Sequence, residues 1–506
     1  MISELESECQ GVERIMNKKV LVIGAGFAGI SAASFMAKAG WKVTVLEKHA
    51  IPGGRARQLE ADGFRFDMGP SWYWMHDVFE RYFSCFGKNV SDYYSLQRLD
   101  PSYRIYWDDG FTDIPANLSS FKRMLNELEN GAGDRLDVFL REAEYKYRIG
   151  MQKLVFKPGQ SVAEFMDWEM LKGIFRMDVF TSMKKHIARH FRHPRIRQML
   201  EFPVLFLGAL PEDTPALYSL MNYADIIGGT WYPAGGMYSV VEGMYRLAVE
   251  LGVEFRFNEE AKEIRFEAAN AKSVVTERSI ITADIVIGGA DYHFIENTLL
   301  PPERQSYSAS YWESRQLAPS CLLYYVGLRK KLKNVLHHSL FFDVSFEQHG
   351  REIYKIKQWP REPLFYVSVS SITDGTIAPP GCENLVFLIP VAAGLSNDSA
   401  ELREKYFHMI LRRFERHVGE PVSDFIIYSK SFGYSDFVHD YNSFKGNAYG
   451  LANTLSQTAI FRPSCRSKKV KNLFYTGQLT VPGPGVPPSL ISGEVTAMEV
   501  LKHFKG

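Results

Sequence analysis

The chain has 506 residues, of which 46% are hydrophobic and 23% charged, with a formal net charge of +1. That length calls for two lobes rather than one small domain, the apolar share excludes a disordered chain, and the near-zero charge excludes a global field attracting nucleic acid. The five cysteines (Cys9, Cys85, Cys321, Cys382, Cys465) form no CxxC pair and no even framework, which fits a reducing cytoplasm and offers no thiol zinc site.

Met1–Ile15 is acidic and lacks the apolar core of a signal peptide, so residues 1–16 are expected to be a disordered tail, or Met16 the true start. The longest apolar run, Val20–Ala37, has the length of a membrane span but is punctuated by Gly24, Gly26 and Gly29 and followed by strand-like Lys42–Glu47. Strand, turn and helix explain both features, and no transmembrane helix is expected. Lys19–Ile23 reads as a buried parallel strand. Gly24-Ala25-Gly26-Phe27-Ala28-Gly29 then opens a helix whose small residues, Ala33, Ser34 and Ala37 among them, let it lie close to a sheet. In this dinucleotide-binding pattern Gly24 permits the tight turn, Gly26 admits the pyrophosphate, and Gly29 lets helix and strand approach. Lys42–Leu46 is the second strand; Glu47 at its tip, beside Lys48, is placed to accept the hydroxyls of an adenosine ribose.

Pro52-Gly53-Gly54-Arg55-Ala56 follows directly, and Phe66-Asp67-Met68-Gly69-Pro70-Ser71 soon after. This stretch resembles the flavoprotein superfamily of amine oxidases, protoporphyrinogen oxidase, carotenoid desaturases and Rab GDP-dissociation inhibitors. The resemblance implies FAD as cofactor, with Gly53, Gly54 and Arg55 along the pyrophosphate and Gly69, Pro70 and Ser71 towards the flavin. Asp67 reads equally as a turn residue.

From Phe79 to Tyr223 the chain is rich in helix formers, apart from a hairpin around Tyr103–Trp107. Lys172–Leu200 reads as a basic, aromatic-bearing amphipathic helix, suited either to an anionic membrane surface or to a solvated domain face. His186, His190 and His193 fall on one face of it, but the surrounding charge is positive and no neighbouring carboxylate completes a ligand set, so no metal is expected. Trp231-Tyr232-Pro233-Ala234-Gly235-Gly236 opens a helix and the strand Val253–Phe257; by resemblance the chain then returns to the adenine, with the Ala261 backbone bonding the base. Ala283–Asp291 is a further cofactor-sheet strand, and Cys321–Val326, Ser339–Phe342, Leu364–Val369 and Leu385–Val391 form an antiparallel-leaning sheet in a second lobe.

Near the C-terminus, Leu473–Tyr475 leads to Thr476-Gly477, then Thr480-Val481-Pro482-Gly483-Pro484-Gly485-Val486-Pro487-Pro488 and a helix over Ser489–His503. Its N-terminus favours negative charge, which a reduced flavin develops at its N1/C2-oxygen edge. Together with Gly446-Asn447-Ala448-Tyr449-Gly450-Leu451, this segment resembles the bacterial-type phytoene desaturase family, and the match runs from Asn17 to Phe504. Val481 stands where that family commonly has histidine, and Pro488 replaces a frequent glycine. The resemblance implies an α/β fold of amine-oxidase-like architecture: a Rossmann-like FAD-binding domain with a discontinuous second substrate domain of mixed or antiparallel sheet plus helices. The division expected is FAD-binding parts over 17–95, 226–300 and 428–506, a helical, membrane-associated lobe over 96–225, and a substrate sheet over 301–427.

The implied activity is dehydrogenation of phytoene or a related acyclic carotene by hydride transfer to flavin N5. Related isomerases, saturases and ketolase-like oxygenases share the framework; amine oxidases and prenyl-protein-binding proteins are remoter alternatives. The implied cofactor-contacting residues are Gly24, Gly26, Phe27, Ala28, Gly29, Glu47, Lys48, Gly53, Gly54, Arg55, Gly69, Pro70, Ser71, Ala261, Gly477, Gly485 and Val486. No catalytic base stands out; His439 and Asp440 are the nearest candidates, and Trp72, Tyr73 and Trp74 are candidates to line a tunnel. The implied partners are a hydrophobic carotenoid, a membrane surface met peripherally from the cytoplasm, and oxygen or a quinone as electron acceptor.

Overall fold

The computed structural model describes residues 18–161, 164, 178–205 and 208–504. The expected N-terminal tail therefore lies outside the described residues, as does the start of the predicted helix over Lys172–Leu200.

In chain order the elements that build the fold are β1 (Lys19–Ile23), α1 (Phe27–Lys38), β2 (Lys42–Leu46), a hairpin of β3 (Tyr103–Trp107) and β4 (Gly110–Ile114), and α2 (Ala132–Ile149). They continue with α3 (Met183–His190), α4 (Pro194–Leu205), α5 (Tyr238–Glu250), β5 (Glu254–Arg256), β6 (Ile285–Gly288) and β7 (Ser320–Leu328). The second lobe and the return to the first follow: β8 (His338–Phe341), β9 (Phe365–Ser368), β10 (Glu383–Val391), α6 (Ala400–Val418), β11 (Ile426–Phe432), β12 (Leu473–Tyr475) and α7 (Val486–Phe504).

Five parallel strands form the first sheet in the order β12-β6-β1-β2-β5. In β1 and β2 every residue after the leading lysine is buried, as expected for strands covered on both faces. Helices α1 and α7 cover one face, packed backbone to backbone: a Cβ added at Gly493 of α7 would stand 2.4 Å from the Ala28 carbonyl oxygen. Ser31 Oγ donates to the Leu490 carbonyl at 2.8 Å across the same contact. The C-terminal segment is thereby fastened to the N-terminal unit.

Seven strands form the second sheet, β11-β7-β10-β9-β8-β3-β4, antiparallel except at β8–β3. Two pieces of this sheet come from outside the expected 301–427 division. The hairpin β3–β4 joins it along β8, and β11 spans the boundary expected after residue 427. A hairpin or an edge strand carries no local mark of which sheet it pairs with; partners distant in sequence decide it. Buried Phe341, Phe365, Phe387 and Phe414 pack the outer face against α6.

The predicted long basic helix is two helices, α3 and α4, separated at Phe191-Arg192-His193. The Arg192 and His193 backbone N–H groups there donate to Glu129 Oε2 at 2.9 and 2.8 Å instead of continuing the helix. Among the described residues no helix is long and apolar enough to cross a membrane.

Candidate functional site

A cavity of about 430 Å³ runs from the C-terminal edge of the parallel sheet to the inner face of the second sheet. Of the residues expected to contact a cofactor, Gly24, Gly26, Phe27, Ala28, Glu47, Lys48, Gly53, Gly54, Arg55, Gly69, Pro70, Ser71, Ala261, Gly477, Gly485 and Val486 all line it. Gly29 does not. It lies beneath the turn, where a Cβ would come within 2.0 Å of the Gly24 carbonyl oxygen.

The two glycines of one motif thus answer to different demands. Around Gly26 nothing beyond its chain neighbours comes within 4 Å of a Cβ position, so the fold leaves that space open. Gly26 is also the N-cap of α1 and offers no side-chain cap, which leaves the first N–H groups of the helix facing the opening. Glu47 is buried, with Oε2 accepting the Ala25 N–H at 2.8 Å and Oε1 the His49 N–H at 3.0 Å. It braces the glycine turn while its carboxylate lines the cavity. The N-terminus of α7, at Gly485 and Val486, lines the same cavity. The Gly477 N–H and the Thr476 hydroxyl both reach Ser492 Oγ, at 2.9 and 3.1 Å, which ties the loop before α7 to its second turn.

Arg55 projects between these parts. Its Nη2 donates to Ser443 Oγ at 3.1 Å and to the Asn447 carbonyl at 3.3 Å, its guanidinium lies 5.2 Å from the Tyr441 ring centre, and Asp291 Oδ2 is 4.0 Å away. Burial lowers the guanidinium pKa and raises that of the Asp291 carboxyl, each held back by the other's charge. Arg55 Nε is buried without a partner, a donor left for an anion entering from the cavity. Tyr441 and Ser443 escaped notice in the sequence, where only their distance from Arg55 in the chain is visible.

The lining of the arm beyond the cofactor end has a different character. It includes Trp72, Trp74, Phe202, Leu340, Ile353 and Leu388. Trp72 and Trp74 both reach the cavity, whereas Tyr73 points the other way, hydrogen-bonded to Tyr94 at 2.9 Å and stacked on Phe79, following the side-to-side alternation of extended backbone. The carboxylates that line the cavity (Glu47, Glu259, Glu260, Asp291, Asp440) all come from segments at its cofactor end. Among the described residues that the second sheet and its flanking helices give to the cavity, the ionisable side chains are tyrosines, His349 and the Cys321 thiol. Burial pushes the imidazole of His349 down to about 4; its Nδ1 accepts the Leu364 N–H at 2.6 Å and its Nε2 donates to the Pro390 carbonyl at 3.0 Å. It is a neutral packing group with both nitrogens engaged.

His439 and Asp440 take no place against the apolar arm. His439 is largely exposed and its Nδ1 meets Asp440 at 3.0 Å, while Asp440 binds Arg57 at 2.5 Å. Asp67 is structural: its carboxylate accepts the N–H groups of Met237 and Tyr238 at 2.8 and 3.1 Å and so caps α5, with burial raising its pKa to about 6. The histidines of the basic segment split, His186 and His190 on α3 and His193 beyond its end. The carboxylate missing from their local sequence is supplied by Glu142 of α2.

An open space at Gly26, an unpartnered Arg55 Nε and two helix N-termini at one cavity fit a bound FAD. Fold and site define an FAD-dependent oxidoreductase.

Residues 27–501 match the family described as flavin containing amine oxidoreductase. A carotenoid 3,4-desaturase of Haloarcula japonica is 39% identical over 97% of this chain and 99% of its own length. A zeta-carotene-forming phytoene desaturase of Myxococcus xanthus is 30% identical over 97% and 95%. Among solved structures, an oxidoreductase of Methanosarcina mazei superposes with a TM-score of 0.61 at 16% identity, covering 96% of this chain and all of its own. Wild-type putrescine oxidase bound to putrescine does so with 0.58 at 14%, covering 96% and 99%; these two show the fold alone. The chain belongs to the flavin containing amine oxidoreductase family and, within it, to the bacterial-type carotenoid desaturases.

Proposed function

We propose that this protein dehydrogenates an acyclic carotene, phytoene or a close relative, introducing conjugated double bonds. The observation that carries the reading is the division of one cavity into a cofactor end that holds all its carboxylates and an apolar arm that has none. A polar amine would need a charged or acceptor partner in that arm; a hydrocarbon needs only shape and dryness. The 39% and 30% identical relatives named for carotenoid desaturation support the same substrate class.

When bound, FAD supplies the two-electron acceptor for a hydride leaving the carotene. The chain's own residues hold and orient. Gly26 and the N-terminus of α1 receive the pyrophosphate, Glu47 the ribose, Ala261 the adenine edge through its backbone, and Arg55 an anionic edge. Gly485 and Val486 would bring backbone N–H groups to the ring, and Gly477 would let the backbone approach it closely. Trp72 and Trp74 present aromatic faces that favour the delocalised allylic cation forming as hydride departs, and the apolar arm excludes water. The accompanying proton leaves to solvent at the cofactor end, since no base faces the arm among the described residues.

The substrate dissolves in bilayers, and the basic residues Lys184, Lys185, Arg189 and Arg192 around α3 form the face that meets an anionic membrane peripherally from the cytoplasm. Electrons pass on to oxygen or a quinone. Expression in a phytoene-accumulating bacterial host tests the activity: new pigments absorbing at longer wavelength are expected. Unchanged phytoene, alongside folded yellow protein, overturns the substrate assignment.

A further inference from the structure

We propose that Glu142, His186 and His190 form a divalent transition-metal site that clasps α2 to α3, away from the flavin cavity. His186 and His190 stand four residues apart on α3 and so project from one face. Glu142 Oε2 lies 3.5 Å from His186 Nε2 and 3.6 Å from His190 Nε2, and the three ligand atoms all fall within 4.8 Å of one another. A tetrahedral centre with bonds of about 2.1 Å has ligand-to-ligand edges of about 3.4 Å, so the oxygen already stands at bonding separation from both nitrogens. Two histidines and a glutamate, with a fourth position for water, make a donor set for zinc or cobalt. None of the three lines the cavity.

A second observation points to a ligand. His186 is 1% exposed, yet its Nδ1 is buried without a hydrogen-bond partner. Its Nε2 faces Lys146 Nζ at 3.4 Å, but the three protons of that ammonium have closer acceptors: Asp178 Oδ2 at 3.0 Å, and the Ala216 carbonyl and Ser219 Oγ at 3.2 Å each. That contact is the longest of the four the ammonium makes, so a metal at Nε2 displaces it without leaving the ammonium unpaired. Asp178 Oδ2, 3.9 Å from Nδ1, adds negative charge beside the ring. Burial lowers the pKa of both rings, that of His186 to about 3, which favours the neutral imidazole that ligates a metal. Lys146 and Arg189 oppose a cation here, while Glu142 and Asp178 offset them.

The test uses full-length, tag-free, FAD-loaded protein stripped with chelator and dialysed against cobalt(II) alone, then zinc(II). One equivalent of cobalt with the ligand-field absorption of a four-coordinate site is expected, displaced by zinc. H190A and E142Q are each expected to weaken cobalt binding at least tenfold, to abolish the rise in melting temperature that zinc gives the parent, and to leave flavin content and pigment formation unchanged. Glu142 is half-exposed, so E142Q keeps the test decisive if H190A does not fold. Absence of stoichiometric cobalt uptake by the parent protein, or parent-like affinity in E142Q, overturns the proposal.

Discussion

The two ends of the cavity obey opposite rules. The cofactor end is built from backbone: glycines, helix N-termini and a carboxylate held by two N–H groups. The apolar arm is built from side chains gathered from α4, β8, β10 and the loop after the glycine-rich segment. Backbone recognition tolerates little substitution, because an added Cβ either collides with the fold or fills the ligand's space. Side-chain lining tolerates exchange among apolar groups and is where substrates of one family come to differ.

The sharpest test of this contrast lies within a single motif. G29A places a Cβ 2.0 Å from a backbone oxygen, a clash severe enough that no folded flavoprotein is expected, at a cost above about 4 kcal/mol. G26A meets no such obstacle. The apoprotein is expected to melt as the parent does while FAD affinity, followed by flavin fluorescence titration, falls about 100-fold, or about 2.7 kcal/mol. Equal FAD affinity in G26A would show that the pyrophosphate lies elsewhere.

The second lobe should break by a different route. Asp343, its side chain fully buried beyond the end of β8, meets Arg413, Arg416 at 3.2 Å and His417 at 2.9 Å, all from α6. Despite burial, hydrogen bonds from His417 and Arg413 and the charge of Arg413 hold its pKa below the ordinary carboxylate value. Removing its charge is expected to cost about 3 kcal/mol, because it strands the largely buried Arg413 guanidinium. A folded pKa below the unfolded one means that this stability is complete above about pH 4 and is lost as the pH falls through the depressed folded value. The difference in denaturation midpoint between parent and D343N should therefore shrink on acidification from pH 7 towards pH 3; a constant difference would remove the charge from the explanation.

The smallest expected effect is the most specific to the arm. L388E places a carboxylate in the apolar lining, costing a hydrocarbon substrate about 1.5 kcal/mol, or roughly tenfold in kcat/KM. The flavin spectrum should not change. Lost flavin would mean that the two ends of the cavity are not separable.

Much of the cofactor end was legible because its requirements are local. A strand, a glycine turn and a helix are contiguous, and Gly24, Gly26 and Glu47 could be assigned to roles from their spacing alone. The segment around Asn447 and the turn before α7 were recognisable by resemblance. Illegible from spacing were the partners of Arg55: Tyr441 and Ser443 lie nearly four hundred residues away and meet it only after the chain has returned to the first lobe. Tyr73 read like its neighbours, yet its register turns it from the cavity. The long basic helix failed because Glu129, remote in sequence, takes the two N–H groups at its break.

The sequence by itself determined the nucleotide-binding unit, the flavin class and the apolar strands of the second lobe, since each rests on periodicity or on residue types within one short segment. Tertiary structure alone decided which sheet received the hairpin β3–β4, which aromatic groups face the cavity, and that Glu142 stands beside His186 and His190. These are pairings between surfaces distant along the chain, and burial of the shared core, rather than any local preference, selects among them.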